Sequence, residues 1–211
     1  NLTEVVIRST DTEQDLERKI AVATILGTLQ ATYTKFPYLR QVWQDNTNEE
    51  RLLGVSLTGI MDNPLTTTAN PDLQGLLERL RAVSVEVNKE WSAKLGIAVS
   101  TAITAVKPSG TVSQLVNSAS GIHARHSEYY IRTVRGAYND PLTEFMKDQG
   151  IPWEPCAHQP DTTVVFSFPQ KSPAQAVLTE NTTAIEQLDT WLAYQRHWCE
   201  HKPSVTINVK K

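Results

Sequence analysis

The residues best suited to chemistry lie in Lys107-Pro108-Ser109-Gly110-Thr111-Val112-Ser113, where a β-capable run, Thr101–Val106, meets a predicted helix. Unpaired N–H groups and the positive end of the helix dipole attract an anion, and phosphate above all. Gly110 permits close approach, and Ser109, Thr111 and Ser113 carry hydroxyls that can donate hydrogen bonds. The segment is not a P-loop, because the glycine spacing and the Lys-Ser/Thr ending are missing. An ordinary capped helix start is the competing reading.

Other reactive side chains form weaker patterns. His197, Cys199 and His201 lie close together, but on a helix the central cysteine points away from the two histidines, which leaves too few ligands for zinc. His123 and His126 fall in a loop before a strand and read as surface or structural residues. Cys156 precedes His158 by two positions without a Cys-x-x-Cys or a nucleophile context, so it reads as an inert thiol. Neither paired catalytic carboxylates nor a complete acid, base and nucleophile set can be identified; no catalytic or metal-ligating residue is assigned.

The elements that must position the turn can be read from periodicity. Asn1–Ile7 is β-rich; Thr10 and Glu13 have capping-box spacing before a helix running to about Pro37; a polar segment around 46–50 follows. Residues 53–60 form a short apolar strand whose Gly54 and Gly59 imply close backbone approach, and Leu73, Leu76, Leu77, Leu80, Val83, Val87 and Trp91 mark a long amphipathic helix that stops near Gly96. Beyond the Ser109 turn the pattern predicts a helix to about Ser118, strands at 129–134 and 162–168, helices at 141–148 and 182–200, and a last strand at 204–209. Alternating strands and helices indicate an α/β arrangement with a mainly parallel sheet, in one domain over 1–211; an open sheet and half of a barrel share this pattern.

The 211 residues, 40% hydrophobic and 20% charged, suit a soluble core and exclude a disordered tail. A net charge of -3 with scattered Lys and Arg argues against a nucleic-acid or anionic-membrane surface, so an anion needs a local site. Two cysteines cannot staple a chain of this size, and with no leader or spanning segment in view a reducing, intracellular setting is expected.

Several of these segments, in this order, resemble the adenosylcobalamin-dependent, class II ribonucleotide reductases, and within them the monomeric ribonucleoside-triphosphate branch. The resemblance rests on Asn1–Val5, Leu53–Ile60, Lys107–Ser113, Gly121–His123 through Tyr129–Arg132, and Pro203–Thr206, and covers nearly the whole chain. It implies the second half of a ten-stranded α/β barrel, a ribonucleotide substrate whose phosphates are bound by Pro108, Ser109, Gly110, Thr111, Val112 and Ser113, adenosylcobalamin as cofactor of the complete enzyme, and a thioredoxin-like reductant. It also implies that the radical-bearing Asn-Pro-Cys-Gly-Glu loop and a redox cysteine precede Asn1. On this reading the chain is a C-terminal segment, inactive alone and cytoplasmic, whose partner is the N-terminal part of the reductase. Glu4 does not correspond to the family's catalytic glutamate, and Cys156 and Cys199 match no redox position. A phosphate-binding module without catalysis is the alternative.

Overall fold

A computed structural model describes residues 1–209, which form two compact units, residues 1–125 with 175 onward, and residues 126–174. In the first unit β1 (Leu2–Val6), β2 (Gly54–Thr58) and β3 (Thr104–Ala105) form a parallel sheet in that order, with Glu4 opposite Ser56 and Ser56 opposite Ala105. The helices α1 (Glu13–Gln30) and α3 (Leu73–Leu95), which pack on each other, lie in the connections between these strands. Successive strand residues face opposite sides of a sheet. Val5, Val55 and Leu57 accordingly share a buried core with Leu16, Ile20, Leu76, Leu77 and Leu80 of the helices, whereas Glu4, Ser56 and Thr58 line the other face.

The capping box before α1 is real but lies two residues later than expected: Thr12 caps the helix and pairs with Asp15. The helix ends at Gln30, short of Pro37, and the polar segment after it contains a helix not anticipated, α2 (Gln41–Glu50). None of its residues is buried, so it has no apolar stripe to betray it. Local bonds support α2, with Thr47 Oγ1 donating to the Trp43 carbonyl, before Arg51 ends it at φ 47°. Gly96 closes α3 at φ 65°, as its position predicts.

Gly59 turns the chain after β2 at φ 79°, and a Cβ there would come within 2.4 Å of the Ile7 carbonyl oxygen. The inferred close approach is thus backbone against backbone at this glycine, whereas at Gly54 a Cβ would meet only the movable end of Leu2.

β3 is shorter than Thr101–Val106 because side chains and an irregular segment satisfy its flanks. Glu200 accepts from the Ile103 and Thr104 N–H groups at 2.6 and 3.1 Å, while the Glu200 and Ser204 N–H groups donate to the Thr104 and Val106 carbonyls. The expected strand at 204–209 does not form. Side chains hold that segment after α6 (Ala184–His197): Thr206 N–H donates to His123 Nε2, and Asn208 N–H to Gln187 Oε1.

The second unit is antiparallel, contrary to the expectation of a mainly parallel arrangement throughout. Its strands β4 (Tyr129–Ala137), β5 (Trp153–Pro155) and β6 (Thr163–Lys171) pair in the order β4-β6-β5. Only the β5–β6 connection, residues 156–162, is shorter than the dozen or more residues a parallel crossover takes. The β4–β5 connection, residues 138–152, carries α5 and is long enough for one, so there the pairing register and not the connection length sets the antiparallel order. Helix α5 (Pro141–Asp148) packs where Gly136 leaves room: a Cβ at Gly136 would lie 2.6 Å from Thr143 Oγ1. Lys147 sits 3.9 Å from the Tyr138 ring centre and 4.1 Å from that of Trp153.

Two glycines give opposite expectations. Gly59→Ala loses roughly 1–3 kcal/mol to the unfavourable φ alone, with the backbone clash adding to it. Gly110→Ala, at φ -69° with nothing within 4 Å of the new Cβ, leaves stability within about 0.5 kcal/mol. Urea unfolding of the two variants checks both.

Candidate anion site at the Ser109 turn

The segment 107–121 folds across the polar face of the parallel sheet and is fastened to it residue by residue. Lys107 N–H donates to Ser56 Oγ at 2.9 Å; Thr58 Oγ1 donates to the Ala119 carbonyl and accepts from Gly121 N–H. Within it Gly110 precedes the short helix α4 (Thr111–Leu115), whose start has no side-chain cap. The first N–H groups of any helix lack partners inside it. Here Gly110, Thr111 and Val112 are exposed, so these groups open to solvent and can meet an anion.

The hydroxyls differ in availability. Ser113 is fully buried and its Oγ donates back to the Ser109 carbonyl, with the Gly110 carbonyl at 3.2 Å; it shapes the turn. Ser120 Oγ donates to the same Ser109 carbonyl at 2.8 Å. Thr111 is exposed at the helix start. Ser109 is 4% exposed, and no hydrogen bond of ordinary geometry closes on its hydroxyl. A buried hydroxyl without a partner costs free energy, which a ligand atom can recover. Glu4 comes within interaction range of it; burial raises the Glu4 carboxyl above its ordinary value, with the Ser109 hydroxyl pulling the other way.

A buried ion pair fixes the far end of the segment. Arg125 and Asp62, 3% and 2% exposed, meet bidentately: Nε donates to Oδ1 at 2.8 Å and Nη2 to Oδ2 at 2.7 Å. Arg125 also donates to the side-chain and backbone oxygens of Asn117, and Asp62 Oδ2 accepts from Ala119 N–H. Asn117 stands at φ 48°, where its carbonyl and that of Val116 also receive Arg8 Nη1. The pair was missed by reading 120–126 for its histidines; the sequence signal was a single arginine between two histidines and an aspartate beside Asn63-Pro64.

The histidines and cysteines each have separate partners. His123 Nδ1 contacts the Ser120 carbonyl at 2.8 Å while Nε2 receives Thr206 N–H, which fixes the tautomer with the proton on Nδ1. His126 meets the Tyr130 ring edge-on. Because α6 stops at His197, a shared helical face does not relate that residue to Cys199 and His201: His197 pairs with Glu78, His201 Nε2 donates to the Leu53 carbonyl, and burial pushes the Cys199 thiol up to about 12. Among the described residues no group of three His, Cys, Asp or Glu could hold a metal ion. The Cys156 thiol is held below its ordinary value by backbone N–H groups of His158 and Gln159 first, and then by Arg135.

Two stability experiments follow. Asp62→Ala strands a buried guanidinium and costs about 3–5 kcal/mol by urea unfolding. At Glu200, burial opposes ionisation, but the Ile103 and Thr104 N–H groups and Arg81 outweigh it and lower the carboxyl from 4.5. Its contribution is therefore complete above the unfolded value and lost as pH falls through the lower folded value; Glu200→Gln flattens that part of the acid limb.

No family model matches the chain. It is 30% identical to the adenosylcobalamin-dependent ribonucleoside-triphosphate reductase of Euglena gracilis over 197 residues, covering 93% of this chain and 26% of that protein. Against the enzyme of the same name from Lactobacillus gasseri it is 30% identical over 214 residues, covering 86% of this chain and 29% of the other. Its fold matches a crystal structure of a B-12 dependent (class II) ribonucleotide reductase with a TM-score of 0.80 at 24% identity, over 98% of this chain and 32% of that one. No described helix is long and apolar enough to cross a membrane. The chain is homologous to part of the adenosylcobalamin-dependent ribonucleoside-triphosphate reductases, and spans 26–29% of the length of these two relatives.

Proposed function

We propose that this chain is the part of a cobalamin-dependent ribonucleotide reductase that holds the substrate phosphates, in an enzyme that converts ribonucleoside triphosphates or diphosphates to 2′-deoxyribonucleotides by thiyl-radical chemistry. One observation carries the reading: a buried Ser109 hydroxyl that no hydrogen bond of ordinary geometry satisfies, beside the uncapped, exposed start of α4, in a segment fastened to the sheet at both ends. The phosphate is met by the N–H groups from Gly110 to Val112 and by the Ser109 and Thr111 hydroxyls, while Pro108 sets the entry to the turn and Ser113 braces it from within. Fixing the phosphates immobilises the ribose for hydrogen abstraction elsewhere in the enzyme.

The two units belong, on this reading, to one domain segment over 1–211, the C-terminal part of the catalytic barrel, which supplies the second half of its ten strands. Support comes from the parallel β1-β2-β3 order and the fold match. Adenosylcobalamin enters through the relatives' names. Its contacts fall mostly outside this segment on this reading, and the groove of about 510 Å³ beside β1 is lined by Glu4, Arg8, Arg18, Lys19 and aliphatic side chains. The cofactor, the thiyl-forming cysteine and the contact with a thioredoxin-like reductant are assigned to the rest of the enzyme, and the working location is the cytoplasm.

The test is ribonucleotide reduction with adenosylcobalamin and a dithiol, using this chain alone and with the remaining part of the reductase. The chain alone is inactive, the mixture is active, and Ser109→Ala with Thr111→Ala lowers kcat/KM at least tenfold, about 1.4 kcal/mol. Nucleotide binding without reduction in the mixture would identify a phosphate-binding module instead.

A further inference from the structure

Glu4 is the only ionisable residue in β1, and the register places it in a row with Ser56 and Ala105 on the face that segment 107–121 covers. Ser56 receives Lys107 N–H, so the chain leaves the sheet at that row and reaches Ser109 two residues later, within interaction range of Glu4. A half-buried carboxyl and a buried hydroxyl with no other partner thus face each other beneath the anion-binding turn. A hydroxyl has one proton to donate. When Glu4 is ionised, Ser109 directs that proton at the carboxylate, and a second anion cannot use it.

We propose that Glu4 is a positioning residue that sets the donor direction of Ser109: binding of a phosphate group at the turn is coupled to uptake of one proton by Glu4. The protonated carboxyl then donates to Ser109 Oγ, and the Ser109 O–H donates to the phosphate oxygen. The proton comes from solvent, and no covalent bond to carbon or phosphorus changes. This inference rests on the phosphate reading above and adds the group that controls it.

The charged groups around Glu4 are otherwise engaged. Along the groove that Glu4 lines, Lys19 of α1 is bound to Asp11 and the Val6 carbonyl, Arg18 to Asp15, and Arg8 to the Val116 carbonyl. β2 contributes only the uncharged Ser56 and Thr58 to this face, and Lys107 lies at the base of the turn. Burial outweighs the pull of the Ser109 hydroxyl and leaves the carboxyl above its ordinary value, so Glu4 takes up a proton more readily than an exposed glutamate.

Tripolyphosphate binding to wild type, Glu4→Gln and Ser109→Ala is measured by calorimetry between pH 4 and 8, with the carboxyl carbon of Glu4 followed by NMR. Taking the ratio of wild-type to variant affinity cancels ionisation of the ligand itself. Glu4→Gln binds roughly five- to tenfold tighter at pH 7 and the advantage vanishes below the Glu4 titration, as removal of one charge near the anion requires. Tripolyphosphate moves the wild-type Glu4 titration upward, and Ser109→Ala raises it in the free protein. A ratio that does not change with pH, or a Glu4 titration unaffected by Ser109→Ala, overturns the proposal while the phosphate site itself stands. Absence of tripolyphosphate binding in all three proteins, each folded by its unfolding transition, overturns the phosphate reading and this coupling with it.

Discussion

The buried pair between Asp62 and Arg125 is the constraint on which the rest of the first unit depends. Removing two charges from water costs several kcal/mol per ion, and the bidentate contact recovers this only because each remaining valence is used: Asp62 also accepts from Ala119 N–H, and Arg125 also holds both oxygens of Asn117. Satisfying the pair dictates where the chain must run. Asn117 adopts φ 48° to offer its oxygens, Gly59 N–H closes on the Ala119 carbonyl, and the segment from Lys107 to Gly121 is drawn over the polar face of the sheet. Arg125 joins the same unit at its backbone, where it exchanges hydrogen bonds with Val177 and Thr179.

That constraint explains how a very short helix can form a site. Five residues make too little helix for α4 to be stable by itself. It persists because Ser113 and Ser120 both close on the Ser109 carbonyl, and because Asn117 and Ser118 beyond it are tied down. The same ties leave the Ser109 hydroxyl buried without an ordinary partner and Gly110 facing open space, so rigidity and unmet hydrogen-bonding capacity arise together. Preorganised donors of this kind need no rearrangement when an anion arrives.

Much of this was legible in the sequence wherever an element had a buried apolar stripe. The long helix ending at Gly96, the strand with two glycines and the strand-to-turn junction at Lys107 follow from spacing. α2 was illegible because none of its residues is buried, and the strand read at 204–209 has the right composition but finds His123 and Gln187 side chains where a ladder was expected. The antiparallel order of the second unit was hidden for another reason: Thr163–Lys171 is half-buried by pattern in either orientation, and only its register with Tyr129–Ala137 distinguishes them. At the site, the turn could be read locally, but Asp62, Arg125 and Glu4 act across 63 and 105 positions of sequence, a kind of pairing that no periodicity reports.

The central claim is that this turn is built to hold a phosphate group, and amide chemical shifts address it most directly. Titrating the 15N-labelled chain with a ribonucleoside triphosphate should move the backbone N–H resonances of Gly110, Thr111 and Val112 in a saturable way, with Ser109 and Glu4 following, and Asp62→Ala should abolish the response in whatever fraction remains folded. Saturable shifts elsewhere, with residues 109–113 unmoved, would contradict the account.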